Sequence, residues 1–68
     1  MRTSEGEVTI VEKDDRYRAE YKIENGIITV RTPRGRKATH LGRSSAPTLA
    51  RVLLRELIEE GRAEPELR

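Results

Sequence analysis

Four cationic side chains fall within seven residues, Arg31-Thr32-Pro33-Arg34-Gly35-Arg36-Lys37, and Arg43 follows six positions later. Charges at this density create a positive potential that attracts phosphates, carboxylates or another polyanion. Between Glu24 and Glu56 lie 31 residues without a carboxylate, and the same interval holds Arg51 and Arg55. The chemistry on offer is therefore anion binding rather than bond making. His40 is the sole histidine, and a general base needs an orienting partner and a nucleophile or metal beside it. One His and no Cys cannot assemble a multi-His or thiolate metal site. Asp14-Asp15 reads as turn chemistry and Ser44-Ser45 as capping residues, while Gly35, Gly42 and Gly61 are isolated and form no phosphate loop. No catalytic residue, metal or cofactor is expected, and the chain reads as a non-catalytic protein.

With 68 residues, the chain has room for one compact unit. Apolar residues make up 34% of it, and the only aromatics are Tyr17 and Tyr21. The net charge of +2 is a cancellation. Residues 1–30 carry five basic and seven acidic groups, residues 31–55 seven basic and none acidic, and residues 56–68 two basic and five acidic. No run approaches the roughly 18–20 apolar residues that span a bilayer, and Met1-Arg2-Thr3-Ser4-Glu5-Gly6 lacks the apolar core of a signal peptide. No membrane association is expected, and a cytoplasmic location is the default. Chains this short usually draw stability from a disulfide, a metal or association with another chain. Only the third is open here.

The strongest structural signal is Asn25-Gly26 between two alternating runs, the chemistry of a two-residue type I′ hairpin. It sets Glu24 opposite Ile27, Ile23 opposite Ile28, Lys22 opposite Thr29, Tyr21 opposite Val30, and Glu20 opposite Arg31. One face then collects Ala19, Tyr21, Ile23, Ile28, Val30 and Thr32, while the other is mostly charged. A preceding strand over about 7–12 joins through Lys13-Asp14-Asp15-Arg16 by a loop of two or four residues, with Ile10 expected opposite Ala19 and Val8 opposite Tyr21. A three-residue loop would turn that apolar set outward. Thr32-Pro33-Arg34-Gly35 reads as a type I turn leading to a fourth strand at about 37–41. Its register is open, and one option turns Ala38 and His40 inward with Leu41 beside Ile27 on the outer face. A helix follows over about 46–60, with Ser45 as N-cap, Pro47 in the first turn and Gly61 at C′. The expected fold is α+β, an antiparallel meander of three to four strands (about 7–12, 16–24, 27–33 and 37–41) with one C-terminal helix on its inner face. Residues 1–6 are expected to be disordered, 7–61 to form the domain, and 62–68 to be a mobile tail.

The helix carries two further signals. Leu49, Ala50, Leu53 and Leu57 centre its apolar stripe, and Leu54 and Ile58 widen it beyond what one small sheet needs to cover. Leu54 and Ile58 either pack under the sheet edge and against the tail through Leu67, or form a homodimer contact with Ile27 and Leu41. Its charges are also reversed: Arg51 and Arg55 precede Glu56, Glu59 and Glu60, against the preference of the helix dipole. Arg51–Arg55 and Glu56–Glu60 are like-charge pairs at i,i+4.

At the level of architecture, a small sheet with a C-terminal helix resembles the DNA-binding domains of integrases and plant AP2-type factors, in which the outer sheet face enters the major groove. The segment Val11 to Tyr21, Val-Glu-Lys-Asp-Asp-Arg-Tyr-Arg-Ala-Glu-Tyr, is similar to the opening hairpin of HicB-type antitoxins. The Pro- and Gly-rich segment of that family is replaced here by the Asn-Gly hairpin. The leading expectation is a small, self-associating binding module. The alternative is a DNA-binding module that holds duplex phosphates with Arg31, Arg34, Arg36, Lys37, Arg43 and the helix N-terminus. Single-strand binding is disfavoured because both tyrosines fall on the core face, away from any base.

Overall fold

The computed structural model describes residues 3–66. Four antiparallel strands, β1 (Thr3–Glu12), β2 (Asp15–Glu24), β3 (Ile27–Thr32) and β4 (Gly35–His40), form one sheet in chain order, followed by helix α1 (Ala46–Glu59). The α+β meander expected from the sequence is thus present, with the helix packed on one face of the sheet.

Three two-residue reversals determine which side chains share a face. Asn25 and Gly26 take φ of 54° and 75°, as a type I′ turn requires, and the β2–β3 register is the expected one at all five pairs. Lys13 and Asp14 do the same with φ of 52° and 68°, and Glu12 pairs with Asp15. Val8 therefore faces Ala19 and Ile10 faces Tyr17, two residues away from the expected pairing. A shift of two preserves the faces and changes only the neighbours, so the apolar set stays inward. The local preference of Lys13-Asp14 for a tight reversal outweighs a four-residue loop.

The third reversal, Pro33-Arg34, has positive φ at neither residue and sets Thr32 opposite Gly35. Parity then places Lys37 beside Val30 on the helix side, and Ala38 and His40 beside Thr29 and Ile27 on the outer side. This reverses the inward option for Ala38 and His40. Leu41 is likewise not an outer-face residue, because it packs against the core.

β1 starts at Thr3 rather than Glu7, so residues 3–6 pair with β2 where disorder was expected; residues 1–2 lie outside the described residues. The aromatic ring of Tyr21 accounts for part of this extension. It lies over Gly6, where a Cβ would stand only 2.6 Å from the tyrosine Oη.

The core consists of Val8, Ile10, Ala19, Ile28 and Val30 from the sheet with Ala50, Leu53, Leu54 and Leu57 from α1. Leu54 is completely buried, which makes it a core residue rather than a contact for a second copy. Ile58 and Leu49 flank the same cluster. The wide apolar stripe is absorbed because the sheet presents a second row of apolar side chains on β1, which the helix also contacts. Ser45 caps the helix, its Oγ accepting from the Thr48 amide at 3.4 Å. At the other end Gly61 has φ 75°, its amide donates to Ile58 O, and the Arg62 amide donates to Leu57 O at 2.8 Å, a Schellman closure.

The residues after the helix are docked, which corrects the expectation of a mobile tail. Thr32 Oγ1 donates to Arg62 O, and the Glu66 amide donates to Arg16 O at 2.7 Å. The reason lies in unequal strand lengths. β3 pairs with β2 only over Glu20–Glu24, so the first half of β2 lacks a β3 partner and the tail occupies that edge. Leu67 lies outside the described residues.

Truncation at the two flanks of the helix separates core from surface. Leu54→Ala is expected to cost about 2–5 kcal/mol in chemical denaturation, the range for a buried leucine. Val52→Ala, at a residue 43% exposed, is expected to change stability by less than about 0.5 kcal/mol.

Candidate anion-binding surface

Of the five cations proposed as anion ligands, the fold keeps two together and free. Arg31 and Arg36 are directly opposed across β3 and β4 on the outer face, and both are exposed. Among the described residues neither has a carboxylate within ion-pair distance. Glu20 stands directly opposite Arg31 on the β2 side but forms no ion pair with it.

The other three are dispersed. Lys37 points to the helix side, where its ammonium bonds Glu56 Oε1 at 3.1 Å and also meets Glu60 Oε2. Its stem lies along the edge of the core while its charge reaches the C-terminal end of α1, as long cationic side chains do. Arg34, at the reversal, bonds Glu64 Oε1 of the tail at 2.8 Å. Arg43 is exposed and unpaired, but it follows β4 at the Ile27 end of the sheet. Four residues of strand, roughly 13 Å, separate Ile27 from Arg31. The basic block of the sequence is therefore not one patch.

Ion pairs account for three of the five reversed charges of the helix, Arg55, Glu56 and Glu60. Glu56 and Glu60 are placed for Lys37, and Arg55 Nε stands 3.5 Å from Glu12 Oε2 at the β1 side. The helix is held at both flanks by partners on opposite edges of the sheet. The charge order thus serves sheet–helix packing, and the expectation that it marks an anion-binding helix end is not needed. Ser45 already occupies the Thr48 amide at that end.

Sequence reasoning missed Arg18. It lies on the outer face of β2, two residues before Glu20, and its Nε bonds Glu66 Oε1 of the tail at 3.1 Å. Outward parity on β2 and the β2–β3 register, both legible in the sequence, already bring Arg18 toward the Pro33-Arg34 reversal; its pairing with Glu66 was not legible, because it depends on the docked tail.

The outer face carries both signs. Glu5, Glu7, Glu20 and Glu24 share β1 and β2 with Arg16, Arg18 and Lys22, while Arg31 and Arg36 stand on β3 and β4 with no acid on either strand's outer side. Tyr17 and Tyr21 pack against the core on the opposite face. Among the described residues no cluster of three or more His, Cys, Asp or Glu is arranged to hold a metal, and no helix is long and apolar enough to cross a membrane. No protein-family model, curated protein or solved structure matches this chain.

The Lys37 clasp gives a pH signature. Hydrogen bonds that the Lys37 ammonium donates to Glu60 first and Glu56 second raise its pKa above the usual 10.5. A folded-state pKa above the unfolded one adds stability that is complete below the unfolded value and disappears as pH rises through the folded value. The difference in unfolding midpoint between the wild type and Lys37→Met is therefore expected to be constant through neutral pH and to shrink above about pH 10.5. Thermal melts at stepped alkaline pH read this directly, and a difference that persists unchanged at high pH would contradict it.

Proposed function

We propose that the chain is a non-catalytic binding module that holds phosphates of duplex DNA at the β3–β4 side of its open sheet face, with Arg31 and Arg36 as the primary contacts. The observation that carries this reading is the directly opposed arginine pair, neither of which has a carboxylate within ion-pair distance among the described residues. Like charges directly opposed across two strands are destabilising. Two guanidiniums on neighbouring strands suit the oxygens of a phosphate, which they bind in a bidentate fashion.

Three further features support duplex over other polyanions. The outer face offers no aromatic side chain for base stacking, since both tyrosines face the helix, so single strands gain little. A two-stranded ribbon such as β3–β4 fits the major groove, which is about 12 Å wide. Outer-face acids are confined to β1 and β2, so the β3–β4 side is the more basic one and favours one orientation of the phosphate backbone.

Two measurements test the reading. Arg31→Gln/Arg36→Gln is expected to abolish binding of a fluorescent DNA duplex in anisotropy titrations at low salt. The single variants should each lower the slope of log K against log salt by about 0.9, the value per phosphate contact. Lys37→Met, whose charge is already held by Glu56 and Glu60, should leave affinity unchanged. Arg36→Thr should weaken binding while raising stability by about 0.2–1 kcal/mol, because it removes the like-charge pair. Equal binding by the wild type and the double variant would refute the assignment.

A further inference from the structure

The geometry points to a larger surface than the two free arginines: we infer that Arg18 and Arg34 belong to the same phosphate-binding site, and that the acidic tail residues Glu64 and Glu66 cover them until a duplex displaces the tail. This rests on the duplex-binding reading and adds to it two ligands and a built-in competitor.

Arg18, Arg31, Arg34 and Arg36 surround the Pro33-Arg34 reversal. Arg31 and Arg36 flank it on paired strands, Arg34 forms it, and Arg18 lies on β2, one step along the outer face from the Glu20–Arg31 pair. Pro33, Thr32 and Arg18 also line one shallow concavity together with Arg31 and Glu20. Two members of this group are neutralised from a single direction. Glu64 reaches Arg34 at 2.8 Å, and Glu66 reaches Arg18 at 3.1 Å. To a guanidinium, a carboxylate presents the same pair of anionic oxygens as a phosphate does.

The tail is built to lift in part. Its first residues are anchored, since the Arg62 amide closes the helix, Thr32 Oγ1 bonds Arg62 O, and the Arg62 stem lies against Gly35, where a Cβ would come within 3.1 Å of it. From Ala63 onward the described contacts are the packing of Ala63, the two ion pairs and one backbone bond from the Glu66 amide to Arg16 O. The Arg34–Glu64 side chains are 58% and 56% exposed and the Arg18–Glu66 side chains 56% and 31%, and pairs this open to solvent contribute little to stability. A polyanion therefore replaces Glu64 and Glu66 at low cost and gains both arginines.

The test uses Glu64→Gln/Glu66→Gln, which keeps side-chain size and the Glu66 backbone amide. Its fold is checked by amide exchange in the absence of DNA. The double variant is expected to bind a fluorescent DNA duplex roughly threefold to tenfold more tightly than wild type, the sum of two exposed ion pairs. Its salt slope should match that of the wild type, because the duplex reaches Arg18 and Arg34 in both complexes. Adding Arg18→Gln/Arg34→Gln should remove the gain in affinity and lower the slope by about 0.9 for each arginine lost. In the wild type, exchange of the amide of residue 66 should accelerate when the duplex is added. Equal affinity of wild type and double variant, with that amide's protection unchanged by DNA, would overturn the covering role of the tail while leaving binding at Arg31 and Arg36 intact. Absence of binding by both proteins at low salt would instead overturn the duplex reading and this extension with it.

Discussion

Side-chain parity is the constraint on which this structure depends. Each of the three reversals contains two residues, so β1, β2 and β3 bring their core residues to the same side of the sheet. A single added residue in any loop would turn one strand's core set toward solvent. Because parity holds throughout, a core of nine buried side chains can form between the sheet and one helix. The same rule sends Arg18, Arg31 and Arg36 outward and brings Lys37 inward, so it sorts the charges as well as the core.

Ion pairs between distant segments then decide which charges remain available. Lys37 and Arg55 connect the helix to opposite edges of the sheet through Glu56, Glu60 and Glu12. The tail neutralises Arg18 and Arg34. What is left unpaired on the outer face near the reversal is the Arg31–Arg36 doublet. Positive charge at this end of the molecule is thus graded: some is committed to packing, some is covered by exposed carboxylates, and some is open. A partner rich in phosphate meets the open part first and can compete for the covered part, because exposed pairs exchange with small loss of stability.

The unequal strand lengths link architecture to that gradation. β2 extends past β3, and an unpaired stretch of backbone invites another strand. The tail fills this gap through one backbone bond to Arg16 and arrives with its carboxylates beside Arg18 and Arg34. Edge protection and charge neutralisation are therefore served by the same five residues, 62–66. At the other end of the β1–β2 ribbon, Gly6 leaves space for the Tyr21 ring, which lets β1 run four residues beyond its expected start.

Much of the fold was legible because its determinants are local. Asn-Gly adopts paired positive φ from its own chemistry, strand alternation needs only neighbours, and Ser45 and Gly61 cap the helix within a turn of their own positions. The sequence alone therefore determined the meander, the inner face, the β2–β3 register and the helix. The face of Lys37, the burial of Leu54 and the docking of the tail required the tertiary structure. Each turns on partners far apart in the chain, such as Lys37 with Glu56 or Thr32 with Arg62, separated by 19 and 30 residues. A run of basic residues states how much charge is present. Only the folded chain, by bringing distant carboxylates to some of those cations and not to others, decides which of them can meet a partner.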